Sequence, residues 1–187
     1  MSREGWREIA ARHRARELAL QGVYQWLLHG AGADVDAPAA QLAPAGEPAR
    51  AQLLAIKELL AAHAAADGGE ENKGGKGADA DAEFFAALLQ GATGEADALR
   101  ALFAPLLSRP VAELSPVEHA ILLLGAFELR HDISTPYRVV INEAVELAKK
   151  YGSVEGHKFV NGVLDRLACR LRPEETAAVR ERGEDRK

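Results

Sequence analysis

Alanine is the feature that most limits what this chain can fold into, because it supplies 37 of the 187 residues while aromatic residues make up only 5%. Alanine is the best helix former and is depleted in strands. Apolar residues also recur every three or four positions along much of the chain, whereas no segment has a convincing strand pattern. The sequence therefore predicts an all-α fold, a helical bundle.

Capping and breaking residues predict where several helices begin and end. Ser115 and Glu118 flank Pro116 in the spacing of a capping box, and Thr135-Pro136 opens a further helix in the same way. Gly152 is a candidate helix stop. The predicted helices cover residues 12–29, 48–66, 83–90, 95–107, 116–130, 136–151, a segment that starts near 153–156, and a short one from 173.

Two stretches are predicted to be disordered. Residues 67–81 contain five glycines and no large apolar side chain, so ordering them would bury nothing. The tail 180–187 consists almost entirely of charged residues. We expect a single domain over residues 1–187, with a helical N-terminal half at about 10–107 and a C-terminal half at about 114–170.

Several classes of protein are disfavoured. The longest apolar runs are far shorter than the ~20 residues that a membrane-spanning helix needs, and the first residues have no apolar signal-peptide core. The single cysteine, Cys169, is expected to be buried, and it fits a reducing cytoplasm. No nucleotide-binding, zinc-protease or nucleophile-elbow motif is present. We therefore predict no catalytic residue, no cofactor and no metal site.

Charge is distributed unevenly along this acidic chain, whose formal net charge is −5. Residues 1–16 carry five arginines against two glutamates, and residues 138–172 carry seven basic residues against four acidic ones. Residues 31–103 carry twelve acidic residues against five basic ones. Such asymmetry is typical of a localised binding surface for an anionic partner.

The basic flanks contain the candidate binding residues. Arg12, Arg14 and Arg16 lie in one predicted helix and could bind phosphates, although a solvated helix start would have the same composition. Lys158 could contact phosphate and Phe159 could stack on an unpaired base, but the ring also fits the apolar pattern of a core residue equally well. For Tyr24, too, base stacking and core packing are both open.

These segments resemble the family of bacterial transcription antitermination factors called NusB. The stretch RHRARELALQGVYQW, residues 12–26, is similar to the arginine-rich opening helix of that family. Residues 114–168 are similar almost throughout, and the blocks VVINEAVELAKKYG and HKFVNGVLDRLA within them are highly specific.

The resemblance implies an all-helical fold of two packed sub-bundles. It also implies a heterodimer with the small-subunit ribosomal protein that serves as NusE, and binding of that pair to single-stranded boxA RNA in nascent ribosomal RNA. The complex would act on elongating RNA polymerase together with other Nus factors. Carried over by position, the residues on the RNA face would be Arg12, Arg14, Arg16, Tyr24, Glu155, Lys158 and Phe159. Glu118 would contact the NusE partner.

Two departures from the family pattern and one alternative bear on this interpretation. Residues 67–81 look like a flexible insertion between helices, relative to the family pattern. His13 interrupts a basic run that is often consecutive in the family, so one phosphate contact would depend on whether an imidazole is charged. The alternative is a protein–protein adaptor, in which the basic face binds a protein and contact with RNA is incidental.

Overall fold

The computed structural model describes residues 3–30 and 80–184, and the side chains of residues 4–28 and 80–178 within them. In those ranges the chain forms helices and no strand, so the prediction of an all-α fold is confirmed. The helices are α1 (Arg3–Gly30), α2 (Ala82–Gly94), α3 (Ala96–Phe103), α4 (Pro116–His131), α5 (Tyr137–Tyr151), α6 (Gly156–Leu171) and α7 (Pro173–Glu184). The predicted helix at 48–66 lies outside the described residues. No helix in the described ranges is long and apolar enough to span a membrane.

The chain divides into two compact units, Met1–Gly94 and Glu95–Lys187. The sequence placed the end of the N-terminal half near residue 107, thirteen residues later. The boundary comes earlier because α3 packs against α4 and α6, within the second unit. Pro105 explains why the helix predicted over 95–107 is shorter: the α-helix ends at Phe103, and Pro105 sits in a tighter 3₁₀ turn over Ala104–Leu106.

In the first unit, α1 packs against α2, and α1 begins nine residues earlier than predicted. The first turns of α1 have no buried apolar face, since Trp6 and Ile9 are 62% and 48% exposed. Apolar periodicity therefore could not predict that residues 3–11 are helical. A helix that began at residue 12 would place Arg12 and Arg14 in its first turn, but Arg12 is already in the third turn. The helix dipole consequently does not oppose these charges.

Asp81 begins α2, although the sequence placed it at the end of a disordered segment. Its Oδ1 accepts a hydrogen bond from the backbone N–H of Phe84 at 2.9 Å, which is an N-cap. Its own backbone N–H donates to the carbonyl of Ala11 in α1 at 3.3 Å. Asp81 is therefore ordered by contacts at both its backbone and its side chain, while residues 67–79 lie outside the described residues.

Helix α4 forms the core of the second unit and is buried on nearly all sides. Its fully or almost fully buried side chains are Ala120, Ile121, Leu122, Leu123, Leu124, Ala126 and Leu129. A helix that is apolar all round needs neighbours on every side, and α3, α5 and α6 supply them. Gly125 permits the close approach of α6, because a Cβ there would lie 2.8 Å from a methyl carbon of Leu164.

The two predicted helix starts of the second unit have different outcomes. Ser115 caps α4 as predicted, since its Oγ accepts from the N–H of Glu118 at 3.2 Å. The predicted capping box is only half formed, because the Glu118 carboxylate accepts from Arg109 and Ser153 instead. Thr135 does not cap α5; its hydroxyl donates instead to Asp132 Oδ2 at 2.6 Å. The N–H of Tyr137 is satisfied by Glu175 Oε1 of α7 at 2.9 Å, a partner 38 positions away. A local motif could not reveal such a distant acceptor.

The C-terminal end of α4 is capped by the guanidinium of Arg172, a side chain that is itself buried. Four backbone carbonyls accept from it at 2.7–2.8 Å, those of Glu128, Leu129, Asp132 and Thr135. Carbonyls at a helix end have no partner inside the helix and carry the negative end of its dipole. One cation therefore satisfies both the hydrogen bonds and the charge there.

Three smaller expectations for the second unit also need correction. Helix α7 reaches Glu184, so residues 180–184 are helical where the sequence suggested disorder; residues 185–187 lie outside the described part. Tyr151 follows the apolar spacing of Val140, Ala144 and Leu147, which predicts a buried position, but it is 37% exposed as the last residue before Gly152 ends the helix. Cys169, expected to be buried, is half-buried near the end of α6.

His119 of α4 is held as a neutral hydrogen-bond acceptor. Its Nε2 accepts from Arg100 Nε at 3.0 Å, and the edge of its ring faces Phe103. Burial, with a further contribution from the charge of Arg100, lowers the pKa of His119 from 6.5 to about 4. The folded protein therefore disfavours the imidazolium over most of the acidic range.

We expect Arg172→Lys to lower the free energy of unfolding by about 1–3 kcal/mol, because an ammonium cannot reproduce the planar fork and leaves buried carbonyls unsatisfied. Urea denaturation followed by circular dichroism measures this change. Arg170→Lys, at an exposed position of the preceding helix, is the matched control. Equal stability of the two variants would contradict the capping role.

We expect His119→Gln to remove part of the acid sensitivity of folding. The unfolded chain takes up a proton at His119 as the pH falls below 6.5, whereas the folded chain resists it until about pH 4. Stability is therefore lost between those values, by up to about 3 kcal/mol. Glutamine keeps an acceptor for Arg100 but does not titrate.

Urea denaturation between pH 7 and pH 4.5 tests this expectation, with His157→Gln as the control. The stability difference between wild type and His119→Gln should shift in favour of the variant as the pH falls. A difference that stays constant with pH would show that His119 carries no such linkage.

Candidate nucleic-acid interface

The three arginines predicted to bind RNA do not share one face of α1. Residues two positions apart in a helix point in nearly opposite directions, whereas residues four apart lie above one another. Arg12 and Arg16 accordingly lie together against α2, and Arg14 lies on a different side. Arg14 is the most exposed of the three, with a side-chain exposure of 45%.

Arg12 and Arg16 both stack on Phe84, a residue that the sequence did not single out. Their guanidinium carbons lie 5.2 and 4.9 Å from the centre of the Phe84 ring. Arg12 also lies 3.9 Å from Asp81 Oδ2 and 4.0 Å from Glu8 Oε1. Arg16 is only 4% exposed, so it packs α1 onto α2, and its contact with RNA stays a prediction.

A buried carboxylate, that of Glu17, lies within the arginine-rich part of α1. Its Oε2 accepts from Arg14 Nη1 at 3.0 Å, and its Oε1 lies 3.8 Å from His13 Nε2. Because Glu17 itself is almost fully buried, it holds one end of the Arg14 guanidinium through Nη1, while the Arg14 side chain stays 45% exposed. Tyr24, two turns further along α1, is half-buried.

The structure brings the other three predicted RNA-binding residues together at the start of α6. Glu155 immediately precedes the helix, and its carbonyl accepts from the N–H groups of Lys158 and Phe159. Lys158 Nζ lies 2.7 Å from Glu155 Oε2, and both side chains are about two-thirds exposed. Phe159 is half-buried. The ring is thus partly accessible. Its exposure is intermediate between that of a core residue and that of an open stacking surface, the two alternatives that the sequence left open.

Arg109 lies over the Phe159 ring and was missed by the sequence reasoning. Its guanidinium carbon is 5.2 Å from the ring centre, and its side chain is 41% exposed. It belongs to the short segment between two 3₁₀ turns and is followed by Pro110, which restricts its backbone. Nothing in the local sequence links this segment to α6, so only the tertiary structure shows the pair.

Glu118 joins Arg109 to the loop before α6. Its carboxylate, with only 4% of the side chain exposed, accepts from Arg109 Nη2 and from Ser153 Oγ, both at 2.9 Å. A Cβ at Gly156 would lie 2.9 Å from both Glu118 Oε1 and Ser153 Oγ, so the absence of a side chain there permits this close packing. The carboxylate is engaged within the second unit, and its predicted contact with a protein partner stays a prediction.

The two sets of residues lie in different units of the chain. Arg12, Arg14, Arg16 and Tyr24 belong to the first unit, and the residues around Phe159 belong to the second. Each set combines guanidinium or ammonium groups with an aromatic ring. That combination suits single-stranded nucleic acid, in which phosphates and unstacked bases are both accessible.

Comparison with known proteins identifies the family. The sequence matches the model of the NusB family over residues 49–169. It is 49% identical over 170 residues to the transcription antitermination protein NusB of Azoarcus sp. (strain BH72), covering 91% of this chain and 90% of that protein. It is 48% identical over 170 residues to the protein of the same name from Bordetella pertussis, covering 91% and 93%.

A solved structure supports the fold. The structure of T. maritima NusB aligns with a TM-score of 0.61 and 23% sequence identity, covering 89% of this chain and 96% of that one. An identity this low supports the fold alone, whereas the sequence matches cover most of the chain at much higher identity. The chain therefore belongs to the NusB family of transcription antitermination proteins.

Proposed function

We propose that this protein binds single-stranded boxA RNA of nascent ribosomal RNA transcripts, as a heterodimer with the small-subunit ribosomal protein NusE. The observation that carries the proposal is the part-exposed Phe159 ring at the start of α6, with Lys158 beside it and Arg109 over it. Membership of the NusB family supports the same conclusion.

The accessible cations would neutralise phosphates. Arg14 offers a planar guanidinium that Glu17 holds at one end through Nη1, and Lys158 offers an exposed ammonium at the surface. Contacts of this kind position the RNA without reading its sequence. Arg12, more than a third exposed, would add to them, whereas the buried Arg16 would support the cluster through Phe84.

The rings and the carboxylate would contact bases. Phe159 and Tyr24 each present part of an aromatic ring, and stacking of a base on such a ring contributes about 1–3 kcal/mol. Glu155, which is about two-thirds exposed, would accept from an amino group on a base edge and keep Lys158 oriented. The negative charge of Glu155 would repel the phosphates of the RNA backbone. It would therefore favour an RNA path in which a base, and not a phosphate, lies at this point.

The protein would act by binding and not by catalysis. We propose that Glu118 and its surroundings contact NusE, that the pair joins the elongating RNA polymerase with other Nus factors, and that this occurs in the cytoplasm. Two partners with modest individual affinities bind more tightly once they are joined. Joint binding would explain how a surface with few exposed cations, most of them paired with carboxylates, can still bind RNA.

We expect Arg14→Gln and Phe159→Leu each to weaken binding of a boxA RNA oligonucleotide about fivefold to a hundredfold, in the absence and in the presence of NusE. The first variant removes a phosphate contact and the second removes a stacking ring. Gel-shift or fluorescence-anisotropy titrations measure the affinity. Arg166→Gln, at an exposed position of α6 whose Nε donates to its own helix, is the control, and a scrambled RNA of equal length tests sequence preference.

Salt and partner titrations separate the possible outcomes. The slope of log affinity against log salt concentration should fall by about 0.7 for Arg14→Gln, because one phosphate contact is lost. Unchanged RNA affinity in both variants would contradict the proposal. Loss of NusE binding without RNA present, together with unchanged RNA affinity, would instead favour the protein–protein adaptor.

A further inference from the structure

We propose that Arg109 is an additional RNA-binding residue, and that the buried carboxylate of Glu118 positions it so that its guanidinium and the Phe159 ring form one platform for an unpaired nucleotide. This inference rests on the proposed binding of RNA and adds a residue to that surface. Arg109, Glu118 and Phe159 all lie in the second unit, within the described residues.

The orientation of Arg109 is fixed before any ligand arrives. Its Nη2 lies 2.9 Å from Oε2 of Glu118, and Ser153 Oγ holds the other carboxylate oxygen at the same distance. Because the Glu118 side chain is only 4% exposed, it holds the Arg109 guanidinium from the buried side. A charge-assisted hydrogen bond to a rigid acceptor removes rotamer freedom that a free arginine would lose on binding.

The same guanidinium remains open to a ligand. The Arg109 side chain is 41% exposed, in contrast to Arg16, which is 4% exposed and packed between helices. Within the described residues, Arg109 makes its ion pair through Nη2, and no hydrogen bond or ion pair involves its Nε or Nη1. These two groups can donate to a phosphate oxygen or to a base edge.

The chemistry of an arginine stacked on phenylalanine matches a nucleotide better than a peptide carboxylate. A guanidinium plane and an aromatic ring both stack on bases, and the guanidinium donors reach phosphate or base acceptors at the same time. Glu118 compensates the charge of Arg109 from the buried side. The pair therefore offers flat surface and directed donors, with little net charge to attract an anion from a distance.

Gly156 maintains this arrangement. A Cβ at that position would approach Glu118 Oε1 and Ser153 Oγ to 2.9 Å, so the first residue of α6 must be small for the carboxylate to keep both partners. Gly162, one and a half turns further along the same helix, has no atom within 4 Å of such a Cβ. The contrast ties the glycine at the helix start to the position of Glu118 and, through it, to Arg109.

The test compares Arg109→Lys, Phe159→Leu and the double variant by anisotropy titration with boxA RNA, with Arg166→Lys as control. Lysine keeps the charge that compensates Glu118 but has no plane to stack. We expect Arg109→Lys to weaken binding about fivefold to twentyfold, with the salt slope and the urea midpoint unchanged. The double variant should lose clearly less than the product of the two single losses, because both residues form one platform.

The outcomes distinguish this inference from the proposed function. Wild-type affinity for Arg109→Lys, with weaker binding by Phe159→Leu, overturns the role of Arg109 and leaves RNA binding intact. Unchanged affinity in all three variants overturns both. A urea midpoint that falls in step with affinity, or fully additive losses in the double variant, also overturns the platform, since Arg109 would then act only in folding or independently of the ring.

Discussion

The second unit depends on how the buried carbonyl end of α4 is satisfied. A helix surrounded on all sides cannot leave its last carbonyls to water, and Arg172 supplies donors to four carbonyls at and just beyond that end. Its neighbour Glu175 contacts the same guanidinium at 3.4 Å and accepts from the first N–H of α5. The end of α4, the start of α5 and the start of α7 are therefore held by one ion pair.

The N-terminal end of α4 is also stabilised by a buried charge that interacts favourably with the helix dipole. Glu118 lies in the first turn, where a negative charge is favourable, and Arg172 lies at the last, where a positive charge is favourable. Both charges are buried, and each is paired by hydrogen bonds to fixed groups, because an unpaired buried charge would be strongly destabilising. The difference is that Arg172 caps the end of the helix, whereas Glu118 reaches Arg109 and so connects the core to a partly exposed ring.

Local sequence signals predicted the class of fold and some boundaries, and long-range pairing set the rest. Alanine content and apolar periodicity indicated helices, and Ser115 identified the start of α4 correctly. The same type of signal failed at Thr135, because Glu175 supplies the acceptor from another helix. The sequence identified Arg12 and Arg16 as candidate phosphate-binding residues. Their packing on Phe84, 68 positions after Arg16, is not indicated by the local sequence. Periodicity shows which face of a helix is buried, and not what covers it.

The distribution of charge in the sequence overstates the positive surface of the folded protein. Arg16 and Arg172 are buried, and three exposed cations of the candidate interface, Arg14, Arg109 and Lys158, each have a carboxylate within 3.0 Å. Their fields largely cancel beyond a Debye length of about 8 Å at physiological ionic strength. Affinity for RNA would then come mainly from stacking on rings and from hydrogen bonds of oriented guanidinium groups, both of which act only at contact. A surface of this kind gains little from long-range attraction, and a second protein that contributes its own contacts becomes the effective way to tighten binding.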